Sequence, residues 1–174
     1  LDAAIDSYNH AIKIKPDFAE AYSNMGNALK DKGDLEAAID SYKQAIKIKP
    51  DYADAYSNMG NAFKDKGELD AAIDSCNHAI KIKPDYAEAY SNLGNALKDK
   101  GDLDAAVDSY KQAIKIKPDY AEAKHLLASL TGETTKAAPR EYVEDLFDKY
   151  AAKFEHSLIE NLQYQTPKII TEMI

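Results

Sequence analysis

Asparagine side chains recur in pairs along the chain, at a spacing that could hold another polypeptide. Within each pair the two residues lie three positions apart, which places them on one face of a helix. A side-chain amide offers a donor and an acceptor together, as an extended peptide main chain requires. Asn is about 0.6 kcal/mol worse than Ala inside a helix, so a repeated use of it favours a binding role. The pairs are Asn24 and Asn27, Asn58 and Asn61, and Asn92 and Asn95.

Serine and lysine residues flank each asparagine pair and are candidates for the same peptide-binding surface. A serine precedes the first Asn, and a lysine follows the second Asn by three positions; these residues are Ser23, Ser57, Ser91, Lys30, Lys64 and Lys98. Each lysine is followed by an aspartate, so a solvated surface of mixed charge is the alternative interpretation. For Asn27, Asn61 and Asn95, the alternative is a hydrogen bond that joins two helices. For Asn24, Asn58 and Asn92, the alternative is that asparagine is simply common in this repeat and makes no contact with a ligand.

No other constellation of side chains indicates catalysis or metal binding. Cys76 is the single cysteine, so it cannot form an internal disulfide, and no Cys or His group has the spacing of metal ligands. None of the four histidines has a nucleophile or an acid at catalytic spacing. We therefore expect no catalytic, cofactor-binding or metal-binding residue, and we expect that this chain is not itself an enzyme.

Composition narrows the class of protein further. The 174 residues have a net charge of −8, with 45% hydrophobic and 30% charged residues, a balance too apolar for disorder and too charged for a membrane protein. An acidic chain without a basic cluster is a poor ligand for nucleic acid. The isolated cysteine is typical of a reducing compartment, so we expect a cytoplasmic location.

A 34-residue period organises the chain. Lys-Pro-Asp recurs with its proline at positions 16, 50, 84 and 118. Three complete units follow, at 19–52, 53–86 and 87–120, and the first and third are identical at 31 of 34 positions. Residues 1–18 correspond to the second half of a unit and residues 121–131 to the first half. A fixed period of this length predicts a solenoid of stacked units.

The apolar spacing predicts two helices in each unit. In the first unit, apolar side chains recur every three or four residues, and Gly33 ends the first helix. Asp34 begins the second helix, which ends before Pro50. Tyrosines at helical spacing are expected in the core: Tyr22, Tyr42, Tyr56, Tyr90 and Tyr110. Neither helix can bury its apolar side alone, so the fold predicted is an all-α solenoid in which the hairpins stack.

These units resemble the tetratricopeptide repeats. The family pattern is met by Tyr22-x2-Met25-Gly26-x2-Leu29, by Ala38-x3-Tyr42 and by Pro50, with Tyr in place of the usual Trp. The resemblance implies a right-handed superhelix whose first helices line a concave groove, and a protein-binding function without a cofactor. A side chain at Gly26 would push the two helices of the hairpin apart.

Two binding modes of the family can be compared with this sequence. The asparagine rows are similar to those in the repeats of O-linked N-acetylglucosamine transferase, which implies main-chain contacts from Asn24, Asn58 and Asn92. Chaperone-binding repeats instead grip a terminal carboxylate with cationic side chains. That arrangement is missing here, because acidic residues and serines occupy the corresponding positions: Glu20, Asp54, Glu88, Glu122 and the three serines named above.

The repeat ends near residue 131, and the composition changes there. Residues 132–139 are predicted to be a linker. Residues 140–174 contain the string Tyr142-Val-Glu-Asp-Leu-Phe, and they resemble the lead-in helices that precede the cofactor domain of class I methyltransferases fused to tetratricopeptide repeats. No glycine-rich turn for S-adenosylmethionine follows, so this segment implies at most the start of a truncated methyltransferase-like domain.

The function expected is a protein-interaction module that binds an extended peptide or partner protein in the concave groove. One alternative is the substrate-docking, non-catalytic part of a methyltransferase. Another is a structural solenoid, in which the two half units at the ends associate head to tail between molecules. Neither nucleic acid nor membrane is an expected partner.

Overall fold

The computed structural model of the protein describes residues 1–132, and within that range the chain is made of α-helices without a strand. The helices are α1 (Asp2–Ile14), α2 (Ala19–Lys32), α3 (Leu35–Ile48), α4 (Ala53–Lys66), α5 (Leu69–Ile82), α6 (Ala87–Lys100), α7 (Leu103–Ile116) and α8 (Ala121–Thr131). The pairs α2–α3, α4–α5 and α6–α7 are the first and second helices of the three complete repeats. The predicted all-α solenoid is confirmed.

Local chemistry sets the helix ends where the sequence predicts them. Gly33 adopts a left-handed conformation with φ of 92°, and the main-chain N–H of Asp34 donates to the Leu29 carbonyl over 2.9 Å. The Asp34 carboxylate then accepts from the Ala37 N–H, which caps the start of α3. At the other end of α3, Lys49 is extended with φ of −128°, because the residue before a proline avoids the helical region.

A close contact between the two helices forms the centre of each hairpin. Tyr42 is fully buried, and a Cβ atom added to Gly26 would lie 2.6 Å from its ring. Gly94 and Tyr110 repeat this contact at 2.7 Å, whereas the Sγ atom of Cys76 occupies the corresponding place in the central repeat. The predicted requirement for glycine at this position of the hairpin is therefore confirmed.

The remaining repeated tyrosines lie at the edge of the core. Tyr22, Tyr56 and Tyr90 are half-buried, and Tyr56 and Tyr90 pack against the buried clusters. Tyr56 stacks on the imidazole of His78, with ring centroids 5.4 Å apart. Helical spacing places these rings on the apolar side of the first helix, but it cannot distinguish the centre of a contact from its edge.

The stack curves with the first helices on its inner side. Helix α4 contacts the first helices of both neighbouring repeats, α2 and α6, whereas the second helices α3 and α5 make no comparable contact with each other in the described part of the chain. Elements that approach closely lie on the inside of a bend, so the concave surface is formed by α2, α4 and α6. We call this surface the groove.

Ion pairs connect successive repeats at their exposed edge. Lys32 lies 2.6 Å from Asp2, Lys66 lies 2.5 Å from Glu36, and Lys100 lies 2.6 Å from Asp70. Because solvent screens these exposed charges, each pair contributes little to stability. The pairs therefore support the register between repeats, and the buried contacts supply most of the stability.

Two expectations concern residues that the structure does not describe. Apart from Gly132, which caps α8 with φ of 73°, the linker at 132–139 and the methyltransferase-like segment at 140–174 lie outside the described residues. Head-to-tail association also stays a prediction; α1 has no buried residue in this chain. Among the helices described, none combines the length and the apolar character needed to cross a membrane.

The glycine contact gives the first testable prediction. Gly94→Ala should lower the free energy of unfolding by about 1–3 kcal/mol, because the added methyl group overlaps the buried ring of Tyr110. This loss should appear although Ala is the better helix former. Urea unfolding measures it, with Lys111→Ala on the exposed side of α7 as the control, expected within about 0.5 kcal/mol of wild type. A Gly94→Ala variant as stable as the control would contradict the contact.

Candidate peptide-binding groove

The asparagine rows lie along the groove, where the structure gives them different exposures. Asn24 is exposed, and the other five asparagines are half-buried between neighbouring first helices. A half-buried amide satisfies part of its hydrogen-bonding capacity within the protein and presents the rest at the surface. The hydrogen bonds inside the protein therefore determine what each asparagine can offer to a ligand.

In the first repeat, the side-chain carbonyl oxygen of Asn27 accepts two hydrogen bonds, which is its full capacity. The Tyr42 hydroxyl donates to Asn27 Oδ1 over 2.7 Å, and Asn58 Nδ2 donates to the same oxygen over 3.1 Å. These two bonds connect α3, α2 and α4. The remaining groups of the network, the Asn27 NH2 and the Asn58 carbonyl, bond to no described residue and are available at the groove.

The third repeat repeats the bond between tyrosine and asparagine. The Tyr110 hydroxyl donates to Asn95 Oδ1 over 2.7 Å. Burial raises the pKa of both tyrosines above its ordinary value, and nearby carboxylates raise it further, so the hydroxyls stay protonated and act as donors. For Asn27 and Asn95, the alternative interpretation of a hydrogen bond that joins two helices is thus confirmed.

The central repeat lacks this bond because Cys76 replaces the tyrosine. Asn61 has no hydrogen-bond partner among the described residues, and Asn92 donates instead to Ser57 Oγ over 3.1 Å. The six asparagines therefore fall into different environments although their local sequences are almost the same. Sequence reasoning did not identify the influence of Cys76 on the groove, since this buried residue lies on the other helix of the hairpin.

The serine row is placed inside the stack. Ser23, Ser57 and Ser91 are between 1% and 2% exposed, so a ligand in the groove does not reach them in this conformation. The Ser91 hydroxyl has no partner in the described chain. The reason is a change in the next unit, where Leu126 occupies the position of Asn92 and cannot donate as Asn92 does to Ser57. The asparagine rows accordingly end before α8.

The charged rows border the asparagines and are largely compensated. Lys64 lies 3.0 Å from Asp65, and Lys30 and Lys98 lie 3.7 and 3.9 Å from the aspartates that follow them. At the other border, Glu20 and Glu88 pair with lysines at 3.7 and 3.6 Å. Burial raises the pKa of Tyr86, and the Asp54 carboxylate beside it raises that pKa further.

The chemistry available in the groove is thus neutral hydrogen bonding between compensated charges. Within residues 1–132, no group of three or more His, Cys, Asp or Glu side chains could hold a metal ion. The thiol of Cys76 is buried beside Gly60, and its raised pKa makes it a poor nucleophile. What remains is a surface of amide donors and acceptors.

Comparison with known proteins identifies the same repeats. The family described as TPR repeat matches residues 1–33, 26–67 and 60–101, and the family described as tetratricopeptide repeat matches residues 87–120. Together the matches cover residues 1–120, which is more than half of the chain. No curated protein sequence gives a significant match.

Solved structures share this architecture. The crystal structure of MamA has 29% sequence identity and a TM-score of 0.68, over 94% of this chain and 91% of MamA. The first TPR of Spaghetti (RPAP3) bound to the HSP90 peptide SRMEEVD has 24% identity and a TM-score of 0.63, over 66% of this chain and 90% of that one. The Arabidopsis OM64 TPR domain has 24% identity and a TM-score of 0.64, over 67% of this chain and 96% of its own. The last two similarities show a common fold.

Titration of Cys76 provides a test of the hairpin core. Burial raises the pKa of its thiol from 9.0 to about 12, so above pH 9 the unfolded chain loses this proton while the folded chain keeps it. The stability due to the neutral thiol is complete below pH 9 and is lost as the pH rises towards 12. Unfolding in urea from pH 8 to 11 should therefore show a steeper decline for wild type than for Cys76→Ala, by up to about 1.4 kcal/mol per pH unit. Parallel declines would mean that the thiol is accessible in the folded protein.

Proposed function

Because the chain belongs to the tetratricopeptide repeat family, we propose that residues 1–131 form a protein-interaction module that binds an extended peptide segment in the groove. The structure of Spaghetti (RPAP3) with a bound peptide supports this use of the fold in a related architecture. The proposal concerns the class of ligand, which is a polypeptide held mainly by its main chain.

The observation that carries the proposal is the set of amide groups left open along the groove. Asn27 and Asn58 are connected to each other, yet each keeps one half of its amide without a partner in the described chain. In the free protein water can bond to these amide halves, and a ligand with matched donors and acceptors can replace that water. An extended peptide presents N–H and C=O groups in alternation, and it can satisfy these amides in several successive repeats.

Charge supports recognition of the main chain over recognition of an acidic terminus. The lysines that could attract a carboxylate each lie close to an aspartate. Glu20 and Glu88 are likewise paired with lysines, so Asp54 is the border carboxylate that adds negative charge without a lysine partner within residues 1–132. The positions of Ser23, Ser57 and Ser91 hold buried hydroxyls, so no cationic side chain is available there to bind a carboxylate. A neutral or weakly basic segment therefore suits this groove better than an acidic one.

Asn58→Ala tests the amide row directly. The probe is a decapeptide selected from a random library for binding to the full chain. Loss of one main-chain hydrogen bond should weaken the decapeptide by about 1 kcal/mol. The melting temperature should fall only slightly, because the substitution also removes the partly exposed bond from Asn58 Nδ2 to Asn27 Oδ1. The matched control is Asn77→Ala on the exposed side of α5, which should leave the affinity unchanged. A lower melting temperature with unchanged affinity would assign Asn58 a structural role alone.

A peptide with acidic residues tests the electrostatic part of the proposal. SRMEEVD, the peptide bound by the first TPR of Spaghetti (RPAP3), carries three carboxylate side chains. Repulsion from Asp54, together with the lack of a free cationic row within residues 1–132, should make its affinity about tenfold weaker than that of the selected decapeptide, since like charges across an interface are unfavourable. Isothermal titration calorimetry at low and at moderate salt measures both. Tight, salt-sensitive binding of SRMEEVD would instead show that the lysine row governs recognition.

A further inference from the structure

The three complete repeats do not present the same hydrogen-bonding groups to the groove. In the first and third repeats, the carbonyl oxygens of Asn27 and Asn95 accept from buried tyrosine hydroxyls over 2.7 Å. In the central repeat, Asn61 has no such partner in the described chain, since Cys76 stands where the tyrosine would be. This difference between near-identical sequences determines what each asparagine can bind.

The tyrosine hydroxyl fixes the orientation of its asparagine amide. Tyr42 and Tyr110 are fully buried, and a buried hydroxyl proton without an acceptor is strongly unfavourable. Asn Oδ1 is the acceptor for each hydroxyl within residues 1–132, so a flipped amide would leave that proton unbonded. The NH2 group must therefore point away from the tyrosine. Asn27 and Asn95 accordingly offer donors to a ligand.

In the central repeat, no tyrosine hydroxyl fixes the orientation of the Asn61 amide. The Cys76 side chain ends at a sulfur packed on Gly60, and a thiol is a weak hydrogen-bond donor. The neighbouring bond changes as well. Asn58 donates to Asn27, but Asn92, its equivalent one repeat later, donates to Ser57 Oγ and leaves Asn61 without a bond. Asn61 thus retains both its donors and its acceptor.

We propose that Asn61 binds one residue of an extended peptide through both the N–H and the C=O of that residue, while Asn27 and Asn95 bind only carbonyl groups. This inference rests on the proposed peptide-binding function. In an extended chain, the N–H and C=O of one residue point to the same side, and a partner that exchanges both bonds pairs with it as in an antiparallel ladder. A side-chain amide with a free donor and a free acceptor can take that role.

The proposal defines a specificity rule for the ligand. The residue opposite Asn61 must have an N–H, so proline is excluded there, whereas the residues opposite Asn27 and Asn95 can be proline. Tyr42, Tyr110 and Cys76 do not touch the ligand and act as positioning residues. The exchange of tyrosine for cysteine thereby sets the register of the peptide along otherwise repeated sequence.

Two substitutions that differ by a single hydroxyl test this inference. Cys76→Tyr restores the residue of the sister repeats and should donate to Asn61 Oδ1, whereas Cys76→Phe adds a ring of similar size without a donor. We expect the selected decapeptide to bind Cys76→Tyr about fivefold more weakly than Cys76→Phe, which corresponds to one hydrogen bond. In the free proteins, the Asn61 side-chain amide resonances should move towards those of Asn27 and Asn95 only in Cys76→Tyr.

The outcomes separate this inference from the proposed function. Equal affinities of the two variants for a decapeptide that wild type binds, or an Asn61 amide that is identical in both, would overturn the inference and leave the groove proposal intact. A wild-type chain that selects no decapeptide at all would overturn the groove proposal itself. If either Cys76 variant does not fold, Tyr110→Phe provides the reverse test. Its Asn95 amide resonances should move towards those of Asn61, and unchanged resonances would contradict the account.

Discussion

The close approach of two helices at a glycine is the contact on which this structure depends. At Gly26 and Gly94 the facing ring would lie within 3 Å of any added Cβ atom, so the first and second helices pack at the shortest distance that a buried tyrosine allows. The same ring carries the hydroxyl that bonds to an asparagine at the groove. One residue on the second helix therefore sets both the geometry of the hairpin and the chemistry of the surface on its other side.

Buried packing contacts recur from one repeat to the next, whereas the hydrogen bonds at the groove differ between repeats. Alanines fill the contacts within and between hairpins, and Ala38, Ala72 and Ala106 are fully buried at equivalent positions. Since each repeat contacts mainly its neighbours, stability accumulates from one interface to the next. Hydrogen bonds at the groove vary between repeats, even though these interfaces stay constant. A change such as tyrosine to cysteine can thus alter the hydrogen-bonding groups at the groove without altering the fold.

Much of the fold could be predicted because the signals are local. Gly33, Asp34 and Pro50 fix helix ends through backbone geometry and capping, and the 34-residue period then determines how hairpins stack. The burial and the hydrogen bonds of the groove residues could not be predicted in the same way. Burial of Ser57 depends on the adjacent first helix, and the difference between Asn27 and Asn61 depends on a residue 15 positions further along the chain. Such contacts follow from the packing of separate helices, which periodicity alone does not specify.

A crystal structure of the full chain with the selected decapeptide would show whether the groove binds a peptide main chain, because it locates both partners at atomic detail. We expect an extended peptide in the groove, with main-chain N–H and C=O groups about 3 Å from the amides of Asn58, Asn61 and Asn92. A peptide bound on the outer surface of the second helices, or one held in the groove only by its side chains, would contradict this expectation.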